Sequence, residues 1–338
     1  MLVKSAVFVA AAVLLNCCAG VGAADDLDTD DRGVEMKKIA YGGWKNNVCL
    51  ENKQVRLVAT LDVGPRIIHF GFKDGENVFK EYKDQLGKSG EKEWCIRGGH
   101  RLWHAPEIKP RTYFPDNAPV KSVPAGKNGV KLIPPPETDC GIQKEIEVRL
   151  AGSRNEVLLR HRLTNIGQWP VELAPWALTV MAQGGTEIIP LPPKKSHSVC
   201  LLPQQSLILW GYTDLSDPRL TLGRRCILLR QDANATKPTK IGISHDQGWV
   251  GYLLNGNLFV KRFERVEGAA YPDRGCNFET FTNEDMLEIE SLGPLVTLEP
   301  GKTVEHVERW NLFHNVPEVK TEADVSRHVL PLVSKLLK

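Results

Sequence analysis

No basic block occurs anywhere in this 338-residue chain, and its formal net charge is only +2. It therefore has no phosphate-backbone footprint, and nucleic acid is not an expected partner. No CxxC pair is present, so a tetrahedral cysteine cage for zinc is not signalled. Beyond the N-terminus no apolar run is long enough to cross a bilayer, and no stable membrane span is expected. Helical periodicity is nearly missing before residue 321. No linker or shift in composition divides the chain, which argues for one large domain.

What stands first is an export signal. Lys4 precedes the apolar stretch 6–15, and small residues follow at Ala19-Gly20-Val21-Gly22-Ala23-Ala24. This predicts a secretory signal peptide over 1–24, cleaved near Ala23 or Ala24, and hence a periplasmic or secreted protein. Cys17 and Cys18 suggest a lipoprotein, but Asn16 is a poor residue before a lipidated cysteine, so none is expected. Residues 25–36, beginning DDLDTDDR, read as a disordered acidic leader. The folded part then opens at Tyr41-Gly42-Gly43-Trp44. Cys49, Cys95, Cys140, Cys200, Cys226 and Cys276 remain after cleavage. Export permits disulfides, yet several of these cysteines sit in apolar runs where a thiol packs as a small hydrophobe.

The rest of the pattern is strands. Short runs at 55–61, 66–72, 77–82 and 130–133 are separated by turn signals such as Asp62-Val63-Gly64-Pro65. Alternating runs follow at 144–150 and 156–164. In the second, Val157, Leu159, His161 and Leu163 share a face, which predicts a packed histidine. Further runs fall at 171–182, 206–212, 226–230, 240–244, 249–254, 258–263, 277–282, 286–291, 296–298 and 304–313. Asn255-Gly256 predicts a type I′ hairpin, because both central positions need positive φ. Thr321 and Asp324 predict a helix cap, and Val325, Val329, Leu332, Val333 and Leu336 form one apolar stripe that docks on a sheet. The sum is an all-β sandwich or barrel over 37–316 with a short C-terminal helix over 317–338.

One stretch is chemically dense: Gly98-Gly99-His100-Arg101-Leu102-Trp103-His104-Ala105-Pro106-Glu107. On a strand, His100 and His104 share a face because their separation is even. On a helix, His100, His104 and Glu107 would present three metal ligands. Gly98-Gly99 and Pro106 argue against that helix, and no metal or cofactor is expected.

Several motifs carry a family resemblance. They are Asp62-Val63-Gly64-Pro65-Arg66-Ile67-Ile68, the stretch just given, and Leu163-Thr164-Asn165 with Ala174-Pro175-Trp176-Ala177-Leu178. The last are Tyr271-Pro272-Asp273-Arg274-Gly275-Cys276-Asn277-Phe278-Glu279 and Glu290-Ser291-Leu292-Gly293-Pro294-Leu295. Over about residues 40–315 the chain resembles a family of bacterial, often exported proteins placed among the galactose mutarotase-like (aldose 1-epimerase-like) proteins. The resemblance implies a β-supersandwich whose concave sheet face binds a mono- or oligosaccharide. In aldose 1-epimerases an early Arg, two His and a late Glu build the site. Arg66 resembles the early Arg, His100 or His104 falls where the first His would, and Glu279 is the candidate late Glu. Where the second His is expected, this chain has Trp176.

Epimerisation at the anomeric centre needs a base for the hydroxyl proton and an acid for the ring oxygen, without a cofactor. Glu279 as base and His100 or His104 as acid meet that need. Trp103 and Trp176 suit stacking on a pyranose, although such residues are more often core. Arg66 and Arg101 suit hydrogen bonds to hydroxyls, and pairing with a carboxylate such as Asp62 is the alternative reading of Arg66. Glu107, Asp273 and Asn277 complete the candidate binding set. Glu288 and Glu290 share a face that reads as solvated. Two functions stay open: an isomerase-like sugar-processing enzyme, and a non-catalytic glycan-binding or envelope interaction protein.

Overall fold

The computed structural model describes residues 31–337. The signal peptide expected over 1–24 and positions 25–30 of the leader lie outside the described residues.

The described residues form 21 strands. The first seven are β1 (Glu35–Tyr41), β2 (Trp44–Glu51), β3 (Val55–Thr60), β4 (Arg66–Phe72), β5 (Gly99–Ala105), β6 (Lys121–Pro124) and β7 (Gly129–Ile133). Then come β8 (Ile142–Leu150), β9 (Glu156–Asn165), β10 (Val171–Met181), β11 (Thr186–Pro190), β12 (Leu207–Leu209), β13 (Leu220–Leu222) and β14 (Cys226–Arg230). The last are β15 (Thr239–Ile243), β16 (Trp249–Leu254), β17 (Asn257–Phe263), β18 (Phe278–Thr282), β19 (Leu287–Leu292), β20 (Val296–Leu298) and β21 (Thr303–Phe313).

They make two antiparallel sheets. The eleven-stranded sheet runs β1-β2-β3-β4-β5-β10-β19-β18-β15-β12, with β20 paired to β10. The ten-stranded sheet runs β13-β14-β11-β16-β17-β21-β9-β8-β7-β6. Side chains alternate across each strand, and the inward sets of the two sheets meet in one core. Ile67, Phe70, Leu102, Met181 and Ile289 come from the first sheet, and Val148, Leu159, Tyr252, Phe259 and Trp310 from the second.

The hairpin at Asn255-Gly256 forms with φ of 48° and 79°, joining β16 to β17 in register. Tyr41-Gly42-Gly43-Trp44 is the turn between β1 and β2, and β1 begins at Glu35, inside the span read as leader. Residues 77–82 make only single bridges, Phe79 to Met181 and Glu81 to Gly98. There the Asn77 carboxamide accepts from Phe70 N (3.0 Å) and donates to Ile68 O (2.9 Å), beside scattered backbone bonds such as Val78 N to Phe70 O (3.0 Å). The tail is capped as expected, with Thr321 and Asp324 bonded reciprocally. It runs as a helical turn Glu322–Asp324, a π turn Val325–Val329 and a second helical turn Leu330–Val333 that holds Pro331. Its Val325, Val329 and Val333 pack against Ile188, Leu228, Trp249 and Val260, on the outer face of the ten-stranded sheet. No helix among the described residues is long and apolar enough to cross a membrane. The six cysteines from Cys49 to Cys276 are all unpaired, and Cys49, Cys226 and Cys276 are buried.

Candidate functional site

The dense stretch folds as β5, so its side chains divide between two faces. Gly98 and Gly99 hold φ of 92° and 69°. A Cβ on Gly99 would strike the Ile67 carbonyl, and one on Gly98 the Lys80 carbonyl, so the glycines let β5 press against β4. From there His100, Leu102 and His104 point into the sandwich, while Arg101 and Trp103 stand on the outer face.

Neighbouring strands complete that outer face through their register. Trp176 lies opposite Trp103, and Leu178 opposite both Arg101 and Glu290. Glu279 lies opposite Glu290 and Gly242, which puts Lys240 diagonally beside Glu279. The Lys240 ammonium sits 2.8 Å from Glu279 Oε2 and 3.0 Å from Glu290 Oε2. Trp176 Nε1 donates to the same Glu290 oxygen at 2.9 Å. Lys240 also lies over the rings of Trp176 (4.8 Å) and Trp210 (4.7 Å). Arg101 lies over Trp103 (4.5 Å) and Trp94 (5.2 Å) and reaches Glu288 Oε1 at 2.9 Å. Trp94, Trp103 and Tyr113 contact one another, and Trp103 meets Trp176 edge-on at 5.4 Å. Four of the eight tryptophans thus form one arc with cations set between their rings.

The floor of this arc is closed: Glu279 and Glu290 are 0% exposed, Trp176 2% and Trp103 5%. Its rim is open, with Trp94, Tyr113 and Trp210 half-buried and Tyr212 and Glu107 exposed. Burial pushes the Glu279 carboxyl well above the ordinary carboxylate range; Lys240 opposes the shift and the Glu290 charge adds to it. Burial likewise raises Glu290, against Lys240 and helped by Glu288. The two carboxylates in turn push Lys240 above its ordinary value in spite of its own burial. The face therefore holds two buried carboxyls raised above the ordinary range, coupled through one lysine that is raised above its own.

Placement of the expected site residues is mixed. Arg101, Trp103, Trp176 and Glu279 share the outer face. Asp273 borders it in a left-handed turn (φ 49°), and its charge acts on Glu279. Glu107 stands at the rim, where it accepts a bond from the Tyr113 hydroxyl. Arg66 is on this face but fully buried and spent. It donates to Ile96 O (2.8 Å), Gly98 O (2.7 Å) and Asp116 Oδ2 (2.8 Å), so its carboxylate partner is Asp116 rather than Asp62.

Asn277 is not in the site. Its carboxamide accepts from His245 N (2.5 Å) and donates to His245 O (2.9 Å), clamping one chain segment to another. His100 and His104 are not there either, since strand alternation turns both inward. His100 meets Thr179 Oγ1 (2.9 Å) and His161 Nε2 (2.7 Å) in the core. A helical His100/His104/Glu107 metal set is excluded for the same reason, because β5 is a strand and Glu107 lies beyond its end. His161 is the packed residue its alternation implies: fully buried, with Nδ1 3.0 Å from His306 O.

Lys240, Trp94 and Trp210 were not anticipated. Lys240 did carry a signal, a lone charge within the apolar strand Lys240-Ile241-Gly242-Ile243. Glu290, read as solvated, is buried because β19 lies centrally in the sheet.

Solved structures share this architecture. A galactose mutarotase-like protein from Lactobacillus casei aligns with 79% of this chain and 100% of its own, at 10% identity and a TM-score of 0.54. A protein from Synechocystis aligns with 82% of this chain and 100% of its own, at 11% identity and a TM-score of 0.55. A TPR-domain containing protein from Parabacteroides distasonis aligns with 82% of this chain and 49% of its own, at 16% identity and a TM-score of 0.56. The chain therefore has the galactose mutarotase-like β-sandwich fold. No protein-family model and no curated protein sequence matches it.

Proposed function

We propose that the outer face of the eleven-stranded sheet binds a neutral saccharide and exchanges protons with its anomeric centre. The observation that carries this reading is the buried pair Glu279 and Glu290 joined by one lysine beneath an arc of indoles. Half-buried rings at the rim offer flat apolar surface to the C–H face of a pyranose. The acids on the face (Glu107, Asp273, Glu279, Glu288, Glu290) outnumber the cations Arg66, Arg101 and Lys240, which are already paired. That balance disfavours an anionic sugar. With His100 and His104 turned inward, the two carboxyls divide the work. The one that keeps its proton serves the ring oxygen, and the ionised partner takes the hydroxyl proton.

A panel of neutral aldoses tests this, with binding followed by tryptophan fluorescence and anomer exchange by NMR. Glu279→Gln is expected to abolish exchange and to spare binding. Trp94→Ala is expected to weaken binding by about 1–3 kcal/mol, the loss of one large aromatic contact. If neither variant differs from the unmutated chain on any sugar, the reading fails. A second reading, binding without turnover, is favoured by Trp176, which stands where an epimerase-like histidine was expected and donates to Glu290. Binding with no anomer exchange in the unmutated protein would select it.

A further inference from the structure

Away from the indole arc, His104 projects from the inner face of β5 towards the turn that enters β8. This turn is closed by Cys140 N and Gly141 N, which both donate to Glu137 O. It aims the side chains of Glu137 and Cys140 at the imidazole. His104 Nε2 lies 3.1 Å from Glu137 Oε2, Cys140 Sγ lies 3.3 Å from the same oxygen, and Sγ lies 4.0 Å from Nε2. We propose that His104, Glu137 and Cys140 form a mononuclear site for a divalent transition-metal ion of the zinc type.

Three observations support the assignment. Metal–ligand bonds of zinc length at tetrahedral angles put ligand atoms about 3.3–3.6 Å apart. The three measured separations bracket that range, so a small movement of the Cys140 thiol completes the geometry. Imidazole, carboxylate and thiolate together suit a borderline-soft ion better than calcium or magnesium. The other carboxylate oxygen, Glu137 Oε1, is held by the Lys144 ammonium, which fixes Oε2 towards His104 as an outer-shell partner does. When an ion binds and the Cys140 proton leaves to water, the ligands carry two negative charges, which one ammonium does not cancel. Cys140 is partly exposed and Thr138 and Asp139 are exposed, which leaves room for water as a fourth ligand.

The other histidine–carboxylate cluster, His100, His161 and Glu308, is a worse candidate. Its two Nε2 atoms are 2.7 Å apart, too close to admit an ion. Glu308 is fully committed to Lys261 (2.8 Å), Ser291 (2.5 Å) and Trp310 (2.8 Å), and the whole cluster is sealed in the core.

Titration of the full chain with Co²⁺ tests the proposal. One equivalent is expected to bind, to give a near-ultraviolet thiolate-to-cobalt band, and to be displaced by Zn²⁺. Cys140→Ser, nearly isosteric, is expected to remove the band and weaken binding at least tenfold, while Cys95→Ser and Cys200→Ser keep both. In the unmutated chain, Zn²⁺ is expected to slow alkylation of Cys140 and leave Cys95 unaffected. No thiolate band in the unmutated protein, a band that survives Cys140→Ser, or equal alkylation of Cys140 with and without Zn²⁺ would each overturn it.

Discussion

Lys240 shows how much of the outer face depends on single side chains. Its ammonium lies over the rings of Trp176 and Trp210 and supports two carboxyls that are fully buried. Lys240→Met keeps most of the packing and leaves Glu279 and Glu290 buried with no cation. Breaking a buried pair in this way costs about 3–5 kcal/mol. The sign of its pH dependence follows from the direction of the shifts. Both carboxyls are raised in the folded protein, so their contribution is fully present below the ordinary carboxylate value of 4.5 and is lost as pH rises above it. Removing the lysine raises them further. Urea unfolding of Lys240→Met is therefore expected to show a small deficit in acid and a large one near neutrality. An equal deficit at both ends would mean that the lysine contributes through packing alone. Glu137 behaves oppositely: burial is overcome by Lys144 and then His104, which hold it at about 2. Its contribution is present above 4.5 and is lost as pH falls towards 2.

At the scale of the strand, the two-residue period decided what could be read from sequence and what could not. Alternation in 156–164 placed His161 in the core because its neighbours were plainly apolar. In β5 every position is buried on both faces, so hydropathy did not distinguish the side with His100 and His104 from the side with Arg101 and Trp103. Composition then suggested one site where the strand builds two. Most strands and the Asn255-Gly256 hairpin were legible. Strands β1 and β2 were not, nor were the short strands β6, β11 and β13, which are three to five residues long with proline in two of them. Lys240 and Trp210 come together only through pairing of β12, β15 and β18, which no local pattern encodes. Gly242 in β15 tests that assembly. A Cβ there would strike Cys276 Sγ and crowd the Trp210 ring at 3.1 Å, although its backbone conformation suits any residue. Gly242→Ala is expected to displace Trp210, to weaken saccharide binding several-fold, and to leave strand pairing intact by circular dichroism. Unchanged binding would separate Trp210 from the ligand.

Across the whole molecule the two outer faces are treated differently. The ten-stranded sheet exposes Ile188, Leu228, Trp249 and Val260 outward, and the C-terminal segment covers them. The eleven-stranded sheet presents Trp103, Trp176, Glu279 and Glu290 outward, and half-buried rings on loops cover these instead. An apolar face closed by its own chain contributes stability, whereas a polar and aromatic face under loops is suited to a ligand. The division predicts that stability and binding can be changed separately. Val329 is fully buried under the tail. Val329→Ala removes two methyl groups and leaves a cavity, a loss of about 2 kcal/mol. The variant is expected to unfold at lower urea with an unchanged slope, and to bind saccharide with unaltered affinity below its transition. If affinity falls together with stability, the two faces are coupled through the core, and the buried network of His100, His161, Glu308 and Lys261 between the sheets is the element that connects them.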